Sequence, residues 1–146
     1  MPTAGNAAVQ VADVDGVRVA GLLVDAGAAD SANLIRIGSA ARTSVRHAAN
    51  PTSVQDVYFR IGGATAGKAT NSLLVDSNDV LLDHIWAWRA DHGAGAGRTS
   101  NTAATGVTVN GDHVTALGLF VEHYQQHQVV WNGQDGRTVF YQSETP

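Results

Sequence analysis

Two glutamates near the end of the chain have the residue type needed for acid–base chemistry. Glu122 and Glu144 are the only glutamates among the 146 residues, and they lie 22 positions apart. Hydrolysis of a glycosidic bond needs two carboxyl groups, and an inverting reaction needs room between them for a water molecule. If the spacing places them on neighbouring strands, about 4.8 Å apart, they are closer than inversion requires. The alternative is a pair of solvated surface carboxylates.

A group of five aromatic residues lies in the same half of the sequence as the two glutamates. The group comprises Trp86, Trp88, Phe120, Tyr124 and Trp131. Outward-facing indoles on a strand would stack on the CH groups of a sugar ring, whereas inward-facing indoles would belong to the core. The candidate substrate-binding residues are Trp86, Trp88, Arg89 and Tyr124.

The two neighbouring tryptophans give conflicting signals. Trp86 aligns with Phe120 and Leu23 in an apolar column, which predicts a core position for its indole. Trp88 aligns with Glu122 in a polar column, although alternate residues of a strand share one face. The conflict predicts a bend or bulge near Ala87, or an alignment that is wrong by one residue.

The histidines do not form a convincing metal site. His123 and His127 have the i, i+4 spacing of a helical metal pair, but their segment has the pattern of a strand and a turn. Since that spacing does not bring strand side chains together, we predict no metal and no cofactor. We expect His47, in the first long loop, to be solvated. The chain has no cysteine, which excludes disulfides and thiolate metal sites.

A repeat indicates which elements position these residues. Asp76–Trp86 returns as Asn110–Phe120, and a third copy spans Asp13–Leu23. Each copy is a polar turn followed by a strand with apolar residues at alternate positions. Aligning the valine after each turn gives a column of Val17, Val57, Val80 and Val114, and a second column of Val19, Phe59, Leu82 and Ala116. The shorter steps suggest a basic coil of 23 residues, with insertions near 39–50 and 92–104.

A second strand precedes each turn. The candidates are Leu34–Ile37, Ser72–Val75, Val107–Val109 and Gln128–Trp131. Strand, turn, strand and loop, repeated, predict an all-β right-handed single-stranded parallel β-helix of about five coils. Asp13, Asp76 and Asn110, with Asn132 nearby, would stack at one corner, where Asn-Gly pairs would tolerate positive φ. A β-sandwich is the alternative, although its strands rarely repeat turn chemistry at a fixed offset.

Composition excludes several classes of partner. The formal net charge is −4 and the positive charges are scattered, so we expect no nucleic-acid and no membrane partner. The sequence has neither a signal-peptide pattern nor an apolar run long enough to span a bilayer. A β-helix usually caps both ends, and no capping segment is visible at either end. We therefore expect residues 1–146 to be a single β-helix domain excised from a longer chain.

Three segments carry a resemblance to a known family. They are Asn71–Gly93, Gly106–Tyr124 and Val130–Pro146, the last ending in Tyr-Gln-Ser-Glu-Thr-Pro. They resemble secreted actinobacterial proteins with pectate-lyase-like β-helices, related to glycoside hydrolase family 55, the exo-β-1,3-glucanases. The resemblance covers about half of the chain well and Val9–Lys68 more loosely. It implies a secreted parent protein with two β-helices that cleaves laminarin-type β-glucan with inversion, and it makes Glu144 the candidate general acid. Glu122 is the second candidate catalytic residue, because of its residue type and its spacing from Glu144.

Two functions are compatible with these observations. The first is a carbohydrate-active module that binds β-glucan or another polysaccharide, inactive as a fragment if the preceding β-helix is required. The second is a structural β-solenoid that associates with itself end to end.

Overall fold

The computed structural model describes residues 5–39 and 44–146 and contains ten strands. In chain order they are β1 Val9–Val11, β2 Arg18–Asp25, β3 Ser31–Ile37, β4 Ser53–Ile61, β5 Ala69–Val75, β6 Leu81–Arg89, β7 Ala103–Val109, β8 Thr115–Glu122, β9 His127–Trp131 and β10 Arg137–Glu144. In the described ranges there is no helix, and so none that is long and apolar enough to cross a membrane.

The strands form two parallel sheets wound around one core. The first sheet has the order β1-β3-β5-β7-β9 and the second β10-β8-β6-β4-β2. Every pairing is parallel and joins strands of adjacent coils, which confirms the predicted parallel β-helix of five coils. Val80 and Val114 are neighbours, as predicted, since the Thr115 amide donates to the Val80 carbonyl at 3.0 Å.

The predicted register is wrong at one coil. Val57 pairs with Leu22 and Ile85, five residues beyond the position of Val17. Thr52 takes that position, because the Leu81 amide donates to its carbonyl at 2.9 Å. A polar residue in the column hides the repeat, so an apolar alignment selects Val57, five residues further along the chain, instead.

The second predicted column and the lengths of the first two coils are wrong for the same reason. Phe59 pairs with Val24 and Ala87, and Val54 stands between Val19 and Leu82. The coil lengths follow from the register of Arg18, Ser53, Leu81, Thr115 and Arg137, and they are 35, 28, 34 and 22 residues, whereas the predicted alignment has a basic coil of 23 residues with two insertions.

The core is a stack of inward-facing aliphatic columns. One column of the first sheet joins Ile35, Leu73 and Val107, each of them fully buried. Burying one such side chain contributes about 1.5–3 kcal/mol. Because each coil covers the next, the core is continuous through the stack and holds the outward faces of both sheets in fixed register.

One column of left-handed residues bends every strand of the second sheet. Its members occupy one register position and have φ between 50° and 68°: Gly21, Asp56, His84, Gly118 and Phe140. A left-handed residue shifts the alternation of side chains along the strand. Leu82 therefore points inward before the bend, and Ile85 and Ala87 point inward after it.

This bend corrects the prediction for Trp86. Its alignment with Leu23 and Phe120 is right, but the whole column faces outward, and Trp86 is 40% exposed. The predicted bend exists at His84, three residues before Ala87. Trp86 and Trp88 consequently share the outer face.

Polar side chains stack at one corner of the coils. They are Asp76, Asn110 and Asn132, as predicted. Asn110 Nδ2 donates to Asp76 Oδ1 at 2.8 Å, and Asn132 Nδ2 donates to Asn110 Oδ1 at 2.9 Å. Asp13 does not join this ladder, since it accepts from Ser77 Oγ at 2.7 Å. Gly111 does not have positive φ, contrary to expectation. It is needed because a Cβ there would collide with the Ser77 carbonyl.

The longest connections run between β3 and β4 and between β6 and β7. Residues 40–43 of the first predicted insertion lie outside the described residues. The expectation that His47 is solvated is wrong, because the residue is 4% exposed. Its Nδ1 lies 2.6 Å from Asp15 and its Nε2 lies 2.9 Å from Asp13. Arg46 binds Asp79 with two hydrogen bonds beside it, so charged side chains attach this loop to the stack.

Candidate functional site

A groove runs across the outer face of the second sheet, after the bend in each strand. Its floor is one register column from adjacent coils: Leu23, Tyr58, Trp86 and Phe120. The groove has a volume of about 520 Å³ and is mostly apolar. Stacked coils place these side chains on successive strands about 4.8 Å apart, so the floor is a row of one leucine and three aromatic side chains.

Two indoles form the centre of the groove. Trp86 and Trp88 are stacked with ring centroids 5.6 Å apart and an interplanar angle of 17°. Trp86 Nε1 donates to Glu122 Oε2 at 3.0 Å, which fixes the orientation of this ring. His92 packs against Trp88 with centroids 5.2 Å apart. The pair offers a rigid apolar surface with a carboxylate at its edge.

Polar side chains line the margin of the groove. Arg60 binds Asp25 with hydrogen bonds of 2.6 and 2.7 Å, and this contact raises the pKa of the Arg60 guanidinium above its ordinary value. His84 Nδ1 lies 2.6 Å from Asp56 Oδ1 and 3.3 Å from the Tyr58 hydroxyl. The margin thus carries donors and acceptors suited to hydroxyl groups.

The two glutamates are register partners on β8 and β10. Their side chains have different neighbours. Glu122 accepts from Trp86, whereas Glu144 accepts from Gln142 Nε2 at 3.1 Å and lies 3.5 Å from His123 Nε2. The pair therefore consists of one carboxylate directed toward the aromatic groove and one directed toward His123.

A second, polar cavity lies beside the first. It measures about 510 Å³, and its lining includes Asp91, Arg98, His123 and Gln125. Asp91 Oδ1 lies 2.8 Å from His92 Nδ1. This hydrogen bond to His92 holds the pKa of the Asp91 carboxyl below its ordinary value, with the nearby His123 adding to the effect.

Two of the predicted substrate-binding residues are buried. Arg89 is 7% exposed and donates to the backbone carbonyls of Asn101, His123 and Gly97. It therefore anchors the β6–β7 connection, and its burial lowers the pKa of its guanidinium. Its donors are used internally, although its side chain also lines the polar cavity, so a contact between Arg89 and substrate stays a prediction.

Tyr124 is fully buried, so its side chain presents no surface to a ligand in the groove. Its hydroxyl lies 2.6 Å from Ser72 Oγ inside the core. Desolvation raises the pKa of this phenol far above its ordinary value. Tyr124 acts as a core side chain whose polar end is satisfied internally.

Three groove residues were not predicted from the sequence: Tyr58, Arg60 and His84. The register alignment with Trp86 would have found Tyr58, but the misplaced Val57 column concealed it. Within the part of the chain that the structure describes, no three His, Asp or Glu side chains are arranged to hold a metal ion.

Known proteins share this architecture at high identity. Over 144 residues, 99% of the chain, the sequence is 57% identical to an exo-beta-1,3-glucanase of Streptomyces sp. (strain SirexAA-E / ActE), of which it covers 24%. Two solved structures of sacteLam55A from Streptomyces sp. SirexAA-E, one of them a variant in complex with glucose, match with a TM-score of 0.95. Both are 56% identical, over 97% of this chain and 26% of theirs.

The chain thus spans about a quarter of the length of the relatives that it matches. These matches confirm the resemblance to family 55 exo-β-1,3-glucanases. Residues 1–144 match the LAM55 pectate lyase-like domain, and the chain belongs to that family.

Proposed function

We propose that this chain is a carbohydrate-active β-helix module whose aromatic groove binds β-1,3-glucan. The observation that carries the proposal is the outward-facing pair of stacked indoles, Trp86 and Trp88, with Glu122 hydrogen-bonded at the edge of Trp86. A relative that is 57% identical is named an exo-beta-1,3-glucanase, which supports a glucan as the ligand. A polysaccharide ligand also supports action outside the cell.

The chemistry of the groove suits a sugar chain. The CH faces of pyranose rings pack against Trp86, Trp88 and Phe120, since aromatic faces attract apolar and partly positive groups. Glu122 and Arg60 at the margin supply an acceptor and a donor for hydroxyl groups. Sugar rings held in this way have a fixed orientation relative to the end of β10.

Glu144 is the candidate general acid in this proposal, on the strength of the resemblance. Its register partner Glu122 is one strand away, about 4.8 Å, which is less than the separation that an inverting pair needs. Glu122 therefore serves as a substrate-orienting carboxylate, and the attacking water is activated by other groups. Any glucan hydrolysis should be abolished in Glu144→Gln, and unchanged hydrolysis would remove the assignment.

Binding is tested by calorimetric titration with laminarin oligosaccharides. Trp86→Ala and Trp88→Ala should each weaken binding by about tenfold or more, equivalent to about 1.4 kcal/mol. Tyr141→Ala is the matched control, because Tyr141 is 47% exposed on β10 and lies outside the groove. Equal affinity in all four proteins, or no saturable binding to the parent, would refute the proposal.

A second candidate function is end-to-end self-association, and the last coil favours it. Val139, Phe140 and Tyr141 on β10 are 50%, 67% and 47% exposed, and β10 is the edge of the second sheet. Exposed apolar strand edges pair readily with other strands. Size-exclusion chromatography over a wide concentration range tests it. A constant monomer excludes it, whereas growth in size that Val139→Lys prevents supports it.

A further inference from the structure

His123 stands at a fixed and strained position directly after β8. Its φ is 63°, in the left-handed region that costs most residues about 1–2 kcal/mol. Its amide donates to the Glu144 carbonyl at 2.8 Å, and its carbonyl accepts from Arg89 at 3.2 Å. The backbone of His123 is thus hydrogen-bonded to Glu144, the proposed acid, and to Arg89, which anchors the β6–β7 connection.

The ring contacts determine its tautomer. His123 Nδ1 lies 3.0 Å from the Thr145 carbonyl oxygen, which can only accept, so Nδ1 carries the hydrogen. Nε2 is left facing two carboxylates, Glu144 Oε2 at 3.5 Å and Asp91 Oδ2 at 3.9 Å. The His123 side chain is 14% exposed, and the two carboxylates that Nε2 faces are 55% exposed at Glu144 and 50% exposed at Asp91.

The contacts continue toward the groove. Asp91 Oδ1 lies 2.8 Å from His92 Nδ1, and the His92 ring packs on Trp88. The other charged groups near His123 include Glu122, its neighbour in sequence, Arg89, and, at the polar cavity, Arg98 and the carboxylate of Pro146. A connected series of contacts therefore runs from Glu144 through His123 and Asp91 to the stacked indoles.

We propose that His123 is a positioning residue that holds the Glu144 side chain and shares a proton with it. When Nε2 is unprotonated, its lone pair accepts a hydrogen bond from the protonated Glu144 carboxyl. When Nε2 is protonated, the imidazolium pairs with the Glu144 and Asp91 carboxylates, and Asp91 stays ionised because His92 also contacts it. The inference rests on the proposed function only in taking Glu144 as the acid, since the pairing itself needs no glucan.

The test is an NMR titration of the chain labelled with ¹³C and ¹⁵N, in the absence of sugar. The His123 nitrogen shifts should report the Nδ1–H tautomer. The Glu144 Cδ resonance should shift in step with protonation of the His123 ring. A different tautomer, or a Glu144 resonance that does not follow His123, would overturn the proposal.

Two matched variants show whether the coupled shift depends on the contact between His123 and Glu144 or on a general effect on the fold. His123→Asn keeps a residue that tolerates positive φ but has no ring to reach Glu144. His113→Asn makes the same change at φ 58°, where the ring lies 3.8 Å from Asp135. The coupled shift of Glu144 should vanish in His123→Asn and persist in His113→Asn, and its persistence in both would refute the proposal. Failure of laminarin binding with this coupling intact would instead count against the proposed function alone.

Discussion

The buried His47 should make the stability of this protein fall as the pH rises above neutrality. Its two ring nitrogens lie 2.6 Å from Asp15 and 2.9 Å from Asp13, and carboxylates only accept, so both nitrogens carry hydrogen and the ring is an imidazolium. The hydrogen bond to Asp15 raises the pKa of His47 above its ordinary value of 6.5, burial opposes this, and Asp13 adds to the rise. The informative perturbation is His47→Gln, which cannot become charged.

The size of the effect follows from the exposure of the two partners. A hydrogen bond between charged groups contributes about 1.5–3 kcal/mol, and Asp13, at 14% side-chain exposure, falls within that range. Asp15 is 63% exposed, so its share is reduced to a few tenths of a kcal/mol by solvent screening. We therefore expect the charged ring to contribute about 2 kcal/mol. Because the folded-state pKa is raised, this contribution is complete below pH 6.5 and is lost as the pH rises through the folded-state value.

Urea unfolding followed by tryptophan fluorescence, repeated from acidic to alkaline pH, measures this contribution. The free energy of unfolding of the parent should exceed that of His47→Gln by about 2 kcal/mol at low pH, and the difference should shrink above pH 6.5. His127→Gln, at an exposed histidine, is the control and should follow the parent throughout. A difference that is independent of pH, or that grows with pH, would show that the ring is not held as an imidazolium.

Three further predictions concern stability and loop order. Tyr124→Phe leaves the Ser72 hydroxyl without its buried partner and should lower the free energy of unfolding by about 1–2 kcal/mol in urea titrations. No change would mean that the hydrogen bond between the two hydroxyls contributes nothing to stability. Gly111→Ala forces a Cβ against the Ser77 carbonyl and should lower the thermal midpoint by several degrees in calorimetry, whereas an unchanged midpoint would show that the corner can widen at little cost. Arg89→Met removes the donors to the β6–β7 connection and should speed amide exchange over residues 90–102, and unaltered exchange would contradict its role as an anchor.

The sequence predicts most of the fold because apolar columns and corner residues repeat. Val80 and Val114 align on turns of similar composition, and the stacked amides of Asn110 and Asn132 follow from the same alignment. The alignment fails at Val57, because connections of variable length separate the strands and Thr52 gives no apolar signal. Variable coil length is a property of loops, and periodicity alone does not reveal it.

The face occupied by Trp86 was not predictable from alternation, because the alternation shifts at His84. Left-handed backbone has no strong sequence signature at Asp56 or His84. Gly21 and Gly118 in the same column were the only available signal, since glycine adopts this conformation at little cost. Burial of Arg89 likewise depends on a loop whose path the sequence does not define.

The parallel indoles provide a built-in optical reporter of the groove. The two indole rings lie with centroids 5.6 Å apart and planes inclined at 17°, so replacing either Trp86 or Trp88 should change the near-ultraviolet absorption and the fluorescence of the other. The bond from Trp86 to Glu122 makes emission from that indole sensitive to whatever displaces or neutralises the carboxylate. Arrival of a ligand can therefore be followed by spectroscopy without any attached dye.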